Sequence, residues 1–203
     1  MQSDIRVRSV ETFKVMTRCR TPLKFGAVVI DELPIGYARV TVENRRGQVA
    51  TGWGAIFLMD LWAWPVSQAS HETKNGLMRD LFDAYAGVIG SYSDFGHPLA
   101  IFMETKADLQ RINQCLCARL TPGEVMPYLG ALICASPVDH ALHDAFGRVN
   151  AIDSYHGYGP EHMAFDLARY LGHSYQGVYP SQFLRQDYAP AVPIFHLVGG
   201  LDL

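Results

Sequence analysis

The sequence has little of what marks several protein classes. Its 203 residues include only four cysteines, with no Cys-x-x-Cys spacing, so neither a disulfide framework nor a zinc site of that type is expected. Basic and acidic residues number 17 and 20, for a net charge of −3, which argues against nucleic acid and anionic membranes as partners. No Walker loop, dinucleotide-binding glycine motif or nucleophile elbow occurs.

Long apolar runs are also missing. No segment approaches 18 uninterrupted apolar residues, and residues 1–15 alternate charged and apolar types where a signal peptide needs a continuous apolar stretch. We therefore expect no membrane partner and a cytoplasmic location. What is present is a hydrophobic content of 49%, with 11% aromatic residues, which is enough for a packed core.

The N-terminal part predicts a three-stranded antiparallel meander. Imperfect alternation over residues 5–17 predicts a long strand with a bulge, followed by a loop at residues 21–26. Residues 37–53 have the pattern of a hairpin, with Asn44 to Gly47 as its turn. The stretch 54–65 is apolar and aromatic without a clear period, which predicts either a loop or a bent strand extension.

Helical periodicity takes over afterwards. Apolar residues at helical spacing predict an amphipathic helix over residues 72–90, and Pro98 suits the first turn of a second helix that stops at residues 121–123. A short helix near residues 126–134 is predicted to precede another that begins with Ser136 as its N-cap. The predicted fold class is therefore α+β, a meander followed by a helical bundle.

The last quarter of the chain has a different composition. Residues 153–190 are rich in Tyr, Gly, His and Ser and predict an irregular connection with one helix at residues 160–171. Residues 192–198 form a short apolar run that predicts a strand buried on both faces. The predicted division of the chain is one α+β domain at 1–150 (meander 1–55, helices 72–150), a connection at 151–190 and a strand segment at 191–203.

Three segments, taken in order, resemble a known family. They are the loop from Pro22 to Gly26 (PLKFG), the hairpin that ends in Gly52-Trp-Gly54 (GWG), and the helix from Ala135 to Arg148, with its Asp-x-Ala-Leu-x-Asp pattern. Their order and spacing are similar to the N-terminal capping domain of the enolase superfamily, in its mandelate racemase and muconate lactonizing branch. Two features depart from the family pattern: Ala55 stands where Glu is frequent, and the connection at 153–190 is long.

The resemblance implies a second part to the fold. In the family the capping domain precedes a modified (β/α) barrel of about 250 residues, and residues 192–198 look like its first strand. Family members abstract the proton alpha to a carboxylate with a Lys or His base while Mg²⁺ stabilises the enediolate. In the family the base and the metal ligands belong to later barrel strands. The resemblance therefore assigns no catalytic base and no metal ligand to this chain. We expect this chain to bind no Mg²⁺ by itself.

The resemblance does assign a substrate lid to this chain. In the family, the loops after the first strand and after the hairpin close over the barrel mouth and contact the distal part of the substrate; here they correspond to residues 21–26 and 54–65. Lys24 is predicted to meet a substrate carboxylate. Further side chains are predicted to line the site: Phe25, Phe57, Trp62, Trp64, His196 and Asp202. The alternative is that Lys24 is solvated, that the aromatic residues pack against helices, and that His196 and Asp202 are structural or disordered.

Two histidines on one predicted helix raise the hypothesis of a metal site. His140 and His143 share a helix face with Asp139 and Asp144. These residues and Arg148 also form i, i+4 pairs of opposite charge, which is typical of a solvated helix face, and we favour that interpretation. A second histidine group lacks metal-ligand spacing and fits hydrogen bonding or an oligomer contact: His156, His162 and His173.

Two functions of different class follow. The first is the capping part of a Mg²⁺-dependent dehydratase, racemase or cycloisomerase that acts on a small carboxylate, with sugar acids as candidate substrates, and is inactive without its barrel. The second is a non-catalytic α+β binding or assembly module, complete at this length. In both cases an apolar strand with open edges predicts association, either with the missing barrel or with an identical chain in an oligomer.

Overall fold

The computed structural model describes residues 1–25, 28–185 and 187–195. Three strands form one antiparallel sheet in the order β1-β2-β3, in which β1 spans Ile5–Phe25, β2 Val28–Asn44 and β3 Val49–Phe57. The turn between β2 and β3 contains Gly47 at a φ of 76°, a conformation that glycine adopts without strain. The predicted α+β class and the predicted hairpin are both confirmed.

Helices follow the sheet along the chain. Ser70 caps the first long helix, because its side chain accepts a hydrogen bond from the Thr73 amide, and Pro98 begins the second long helix as predicted. The helices are α1 Asp60–Ala63, α2 His71–Gly90, α3 Pro98–Cys117, α4 Tyr128–Asn150 and α5 Ala168–Leu171. Single 3-10 turns cover Ser154–Gly157, His173–Tyr175 and Pro180–Phe183.

The core lies between one face of the sheet and the helices. Alternate residues of β2 point inward and are fully buried, namely Ala38, Val40 and Val42. Helix α4 packs across β2 and β3, and α2 packs against β1. The largest buried side chains of the helices include Phe82, Tyr85 and Phe146.

The antiparallel pair of strands β1 and β2, which we call the ribbon, is longer than predicted. The expected loop at residues 21–26 is wrong for residues 21–25, because β1 continues to Phe25 and Leu23 pairs with Ile30 of β2. The pairing is irregular between Arg18 and Leu23, and Pro22 falls in this interval, where its missing N–H breaks no ladder bond. The predicted bulge near the start of β1 is confirmed by a register shift between Val7 and Ser9.

Helix α4 is one element where the sequence predicted two. Pro137 lies inside the helix, whereas Ser136-Pro137 was expected to begin a new one. A proline in this position removes one backbone hydrogen bond. The helix continues through Pro137, which is itself buried, and in the same turn the Ser136 hydroxyl donates to the Leu132 carbonyl at 2.8 Å. Ala151, at a φ of 54°, follows the last residue of α4.

The chain after α4 is mostly irregular. The helix predicted at residues 160–171 is wrong for most of its length, since only Ala168–Leu171 is helical before Gly172 turns at a φ of 103°. Residues 192–195, predicted to begin a buried strand, have no strand pairing in the structure and are exposed, with Ile194 and Phe195 at 90% and 92%. The remainder of that predicted strand, residues 196–198, lies outside the described residues.

The outer face of the sheet carries exposed apolar side chains. Phe13 and Trp53 stack with ring centroids 5.8 Å apart, and the guanidinium of Arg39 lies over both rings. Val15 and Phe57, which both pair with Ile35 of β2, are also exposed. We call the patch formed by Phe13, Val15, Trp53 and Phe57 the outer sheet patch.

Candidate functional site

An apolar cleft forms where the two predicted lid segments meet. Its volume is about 330 Å³. One wall comes from the far end of the β1–β2 ribbon, and the other from the end of β3, the loop after it, α1 and one residue of α4. The lining side chains are Leu23, Ile30, Leu33, Ile56, Phe57, Met59, Leu61, Trp62 and Ile133.

Strand pairing places these residues together. The ribbon brings Leu23 opposite Ile30, and β2 then carries Ile35 to the pairing position opposite Phe57 at the end of β3. The Leu58 amide donates to the Pro34 carbonyl at 2.8 Å, which ties the chain leaving β3 back to β2. The short helix α1 therefore starts close to the ribbon and presents Trp62, which is 64% exposed, at the edge of the cleft.

A buried ion pair fixes α1 against α2. Asp60 and Lys74 are 1% and 3% exposed and form a salt bridge. The Lys74 ammonium also donates to the Trp64 carbonyl at 3.2 Å, and the Asp60 carboxylate lies 2.7 Å from Nδ1 of His71. Because each buried charge has a partner, the α1 segment is held in one position, and the cleft wall that it carries is held with it.

Only some of the predicted lid residues line the cleft. Phe57 and Trp62 line the cleft, while Trp64 is fully buried in the core. Lys24 is exposed and, as the residue after Leu23 in the ladder, projects from the opposite face of the strand. Phe25 pairs with Val28 through its backbone, and its side chain is not described.

Two further candidates, His196 and Asp202, lie outside the described residues. Sequence reasoning missed several residues of the cleft. Leu23 stands beside the predicted Lys24, but no periodic pattern marks the segment that contains Ile30 and Leu33. Ile133 comes from α4, and only the tertiary fold brings it to the cleft.

The glycines of the hairpin allow it to contact α4 closely. A Cβ atom at Gly52 would lie 2.3 Å from the Ala141 carbonyl oxygen, and one at Gly54 would lie 2.1 Å from the Pro137 carbonyl oxygen. Between them, the Trp53 amide donates to the Asp144 carboxylate at 2.9 Å. The two sequence motifs, GWG and Asp-x-Ala-Leu-x-Asp, therefore form one packed unit.

Asp144 also accepts two hydrogen bonds from Nε of Arg148, at 2.9 and 3.0 Å, as the i, i+4 spacing predicted. The favoured solvated-face interpretation is wrong for His143, which is half-buried because the chain after α4 folds back over it. Nδ1 of His143 lies 2.9 Å from the Tyr158 hydroxyl, and burial lowers the pKa of His143 although Asp139 opposes the shift. Burial likewise raises the pKa of Tyr158 to about 12.

His97 anchors the same part of the connection. Its Nδ1 accepts the Leu99 amide at 3.2 Å, so Nε2 carries the proton and donates to the Gly157 carbonyl at 3.0 Å. Burial lowers the pKa of His97 to about 3, with nearby His143 as a further cause. His97 is therefore a neutral structural residue that holds the chain after α4 against α3.

The described residues offer no metal site. Among residues 1–25, 28–185 and 187–195, no three His, Cys, Asp or Glu side chains gather in a group that could hold a metal ion. The described residues thus do not fit a magnesium site. None of the helices in this part of the chain combines the length and apolar character needed to cross a bilayer.

No protein-family model matches the chain, and no curated protein matches it. Solved structures do match. An enolase from Bradyrhizobium, in complex with magnesium and mandelic acid, is 18% identical with a TM-score of 0.45, and the match covers 77% of this chain and 35% of that one. The L-Ala-D/L-Glu epimerase from Bacillus subtilis is 16% identical with a TM-score of 0.45, over 74% of this chain and 33% of that one.

A third match, from Roseovarius nubinhibens, is described as a member of the enolase superfamily, at 19% identity and a TM-score of 0.39. It covers 72% of this chain and 31% of that one. Many of the matching structures are enolase-superfamily proteins. This chain spans about a third of their length.

Proposed function

We propose that this chain is the substrate-capping part of an enolase-superfamily enzyme of the mandelate racemase and muconate lactonizing branch. The observation that carries the proposal is the contact between the GWG turn and α4. The GWG turn and α4 carry two of the segments that resemble the family, and these segments lie far apart in the sequence but meet in one unit. In this unit Gly52 and Gly54 have no room for a side chain, and the Asp144 carboxylate accepts a hydrogen bond from the amide between them. One contact therefore explains why both motifs have these residue types.

The proposed role of the chain is to enclose the distal part of a small carboxylate substrate. The cleft supports this role because it joins the ribbon end and the segment after the hairpin, the two segments expected to act as a lid. Its apolar walls exclude water from one side of the bound substrate and so strengthen the electrostatic interactions at the reacting carbon. Phe57 and Trp62 are the predicted lid residues that line the cleft, and His196 and Asp202 remain proposed contacts. Lys24 projects from the opposite strand face, so any contact that it makes with a substrate carboxylate lies outside the cleft.

The chemistry proposed for the whole enzyme is proton abstraction alpha to the carboxylate, leading to dehydration, racemisation or cycloisomerisation. Mg²⁺, when bound in such an enzyme, supplies positive charge that stabilises the enediolate. The described residues of this chain hold no group of metal ligands, and the role proposed for them is binding of the substrate and exclusion of water.

Exchange of the alpha proton tests this proposal. The 203-residue chain is incubated in D₂O with Mg²⁺ and a panel of carboxylic acids, and deuterium at the alpha carbon is measured by NMR. We expect no exchange by this chain alone, and exchange by the product of the gene when its reading frame beyond codon 203 encodes a barrel with a Lys-x-Lys pattern and spaced acidic residues. Exchange by the chain alone, or a reading frame without a barrel, would contradict the proposal.

The outer sheet patch favours a second candidate, a non-catalytic assembly module. Exposed stacked aromatic side chains such as Phe13 and Trp53 are typical of protein contact surfaces. This candidate predicts a stable oligomer of the chain by light scattering, and dissociation of that oligomer when Phe13 and Trp53 are both replaced by serine. A monomer at all concentrations would reject it.

A further inference from the structure

The chemistry of the cleft bears on which carboxylates the proposed enzyme accepts. We infer that the cleft receives an apolar distal group, aryl or branched alkyl, and discriminates against polyhydroxylated chains such as those of sugar acids. This inference rests on the proposed function, because it names the substrate class of the same site. It also replaces sugar acids, the candidate substrates suggested by the sequence, with hydrophobic acids.

The first argument is the composition of the walls. Among the described residues, the nine side chains that line the cleft are all apolar, and the indole N–H of Trp62 is the only strong hydrogen-bonding group that these nine carry. The one charged candidate on this ribbon, Lys24, projects from the opposite strand face. A hydroxyl that enters the cleft therefore loses its hydrogen bonds to water and meets few partners, which weakens binding by about tenfold for each such hydroxyl.

The second argument is size and shape. A volume of about 330 Å³ lies at the lower end of the range for small-molecule sites. It accommodates a phenyl ring or a branched alkyl chain, whereas a docked helix, about 10 Å across with its side chains, needs a longer groove. The cleft thus fits the end of a small molecule better than it fits a segment of a protein partner.

The third argument is that the cleft is already formed in this chain. Ile30 is 8% exposed in the paired ribbon, Ile133 lies within the long helix α4, and α1 is fixed by the buried pair of Asp60 and Lys74. Walls held by strand pairing, a helix and a buried salt bridge need little reorganisation when a ligand enters. An apolar group consequently gains most of the free energy of its burial.

Binding to the 203-residue chain tests the inference with acids that differ in the polarity of the chain beyond the carboxylate. The probes are 3-phenylpropionate, 4-methylpentanoate and gluconate, three monocarboxylates. The chain has three tryptophans, and their indole N–H signals in ¹⁵N NMR spectra separate the cleft residue, Trp62, from Trp53 and Trp64. We expect both apolar acids to shift the Trp62 signal, and gluconate at the same concentrations to leave it unchanged.

Matched variants locate the binding site. Trp62→Ala and Leu61→Gln change cleft residues and are expected to weaken 3-phenylpropionate about tenfold, as measured by ligand-observed NMR. Trp53→Ala removes an exposed tryptophan of the outer sheet patch, outside the cleft, and should change the affinity less than about twofold. Urea denaturation of each variant checks that the fold is retained.

The inference is overturned by any of three results: gluconate binds as tightly as the apolar acids, neither apolar acid binds, or neither cleft substitution changes the affinity for the apolar acids. These outcomes are distinct from failure of the proposed function. Binding of apolar acids without alpha-proton exchange in any longer gene product would reject the proposed enzyme and leave the cleft assignment in place. Exchange confined to polyhydroxylated acids would reject the cleft assignment and leave the enzyme in place.

Discussion

Replacing Gly54 by alanine is expected to force the hairpin away from α4. The added Cβ would lie 2.1 Å from the Pro137 carbonyl oxygen and 2.8 Å from the Ala141 amide nitrogen. Both are backbone atoms of a helix, so neither can rotate away. Ordinary contact for a Cβ begins at 3.4 Å, and the strand and the helix must therefore separate by about 1.3 Å.

The size of the effect follows from this separation. Overpacking a close contact costs about 1–3 kcal/mol, and the hydrogen bond from the Trp53 amide to the Asp144 carboxylate lengthens at the same time. We expect Gly54→Ala to lower the free energy of unfolding by about 3 kcal/mol. In a chain of 203 residues that loss corresponds to a fall in Tm of about 6–12 °C. Urea and thermal denaturation followed by circular dichroism measure both quantities.

Gly87→Ala is the matched control. Gly87 lies within α2, and a Cβ there would meet nothing within 4 Å. Alanine at this position is expected to raise the free energy of unfolding by about 0.5–1 kcal/mol, because it favours the helix and restricts the unfolded chain. If Gly54→Ala proved as stable as the unmodified protein, the close contact between β3 and α4 would not exist in solution. The main support for the proposed function would then be lost.

Two further predictions concern buried ionisable groups. Lys74→Met leaves Asp60 buried without its cation and is expected to cost about 3–5 kcal/mol in urea denaturation. Arg111→Ala, at an exposed pair, should change the stability far less, and similar losses would contradict the burial argument. Because the pKa of His97 is lowered from 6.5 to about 3, its contribution to stability is complete above pH 6.5. That contribution falls by up to about 1.4 kcal/mol per pH unit as the pH drops towards 3. His97→Asn should flatten this dependence, and equal slopes in the two proteins would reject it.

Local signals made the hairpin and two helices predictable. The Asn44 to Gly47 turn needs a positive φ that Gly47 supplies, and Pro98 suits the first turn of α3. Where tertiary packing opposed a local signal, the prediction failed. Ser136-Pro137 has the local pattern of a helix start, but burial of α4 on the sheet outweighs the one hydrogen bond that Pro137 removes.

Features that depend on distant parts of the chain were harder to predict. His143 has charged neighbours at helical spacing, which predicted a solvated face, whereas Tyr158 and His97, from other parts of the chain, lie against its ring in the structure. The cleft likewise draws its walls from segments as far apart as Leu23 and Ile133. The family resemblance marked the lid segments at Phe57 and Trp62, yet it gave no indication that the walls are apolar throughout.

The contact of the GWG turn with α4 has a consequence for synthesis. Trp53 and Asp144 are 91 residues apart in sequence. At about 5–20 residues per second, a ribosome needs roughly 5–18 s to make the intervening chain. During that interval the nascent meander exposes the inward-facing valines of β2 to the cellular milieu. We therefore expect holdase chaperones to bind this segment until α4 emerges and covers it.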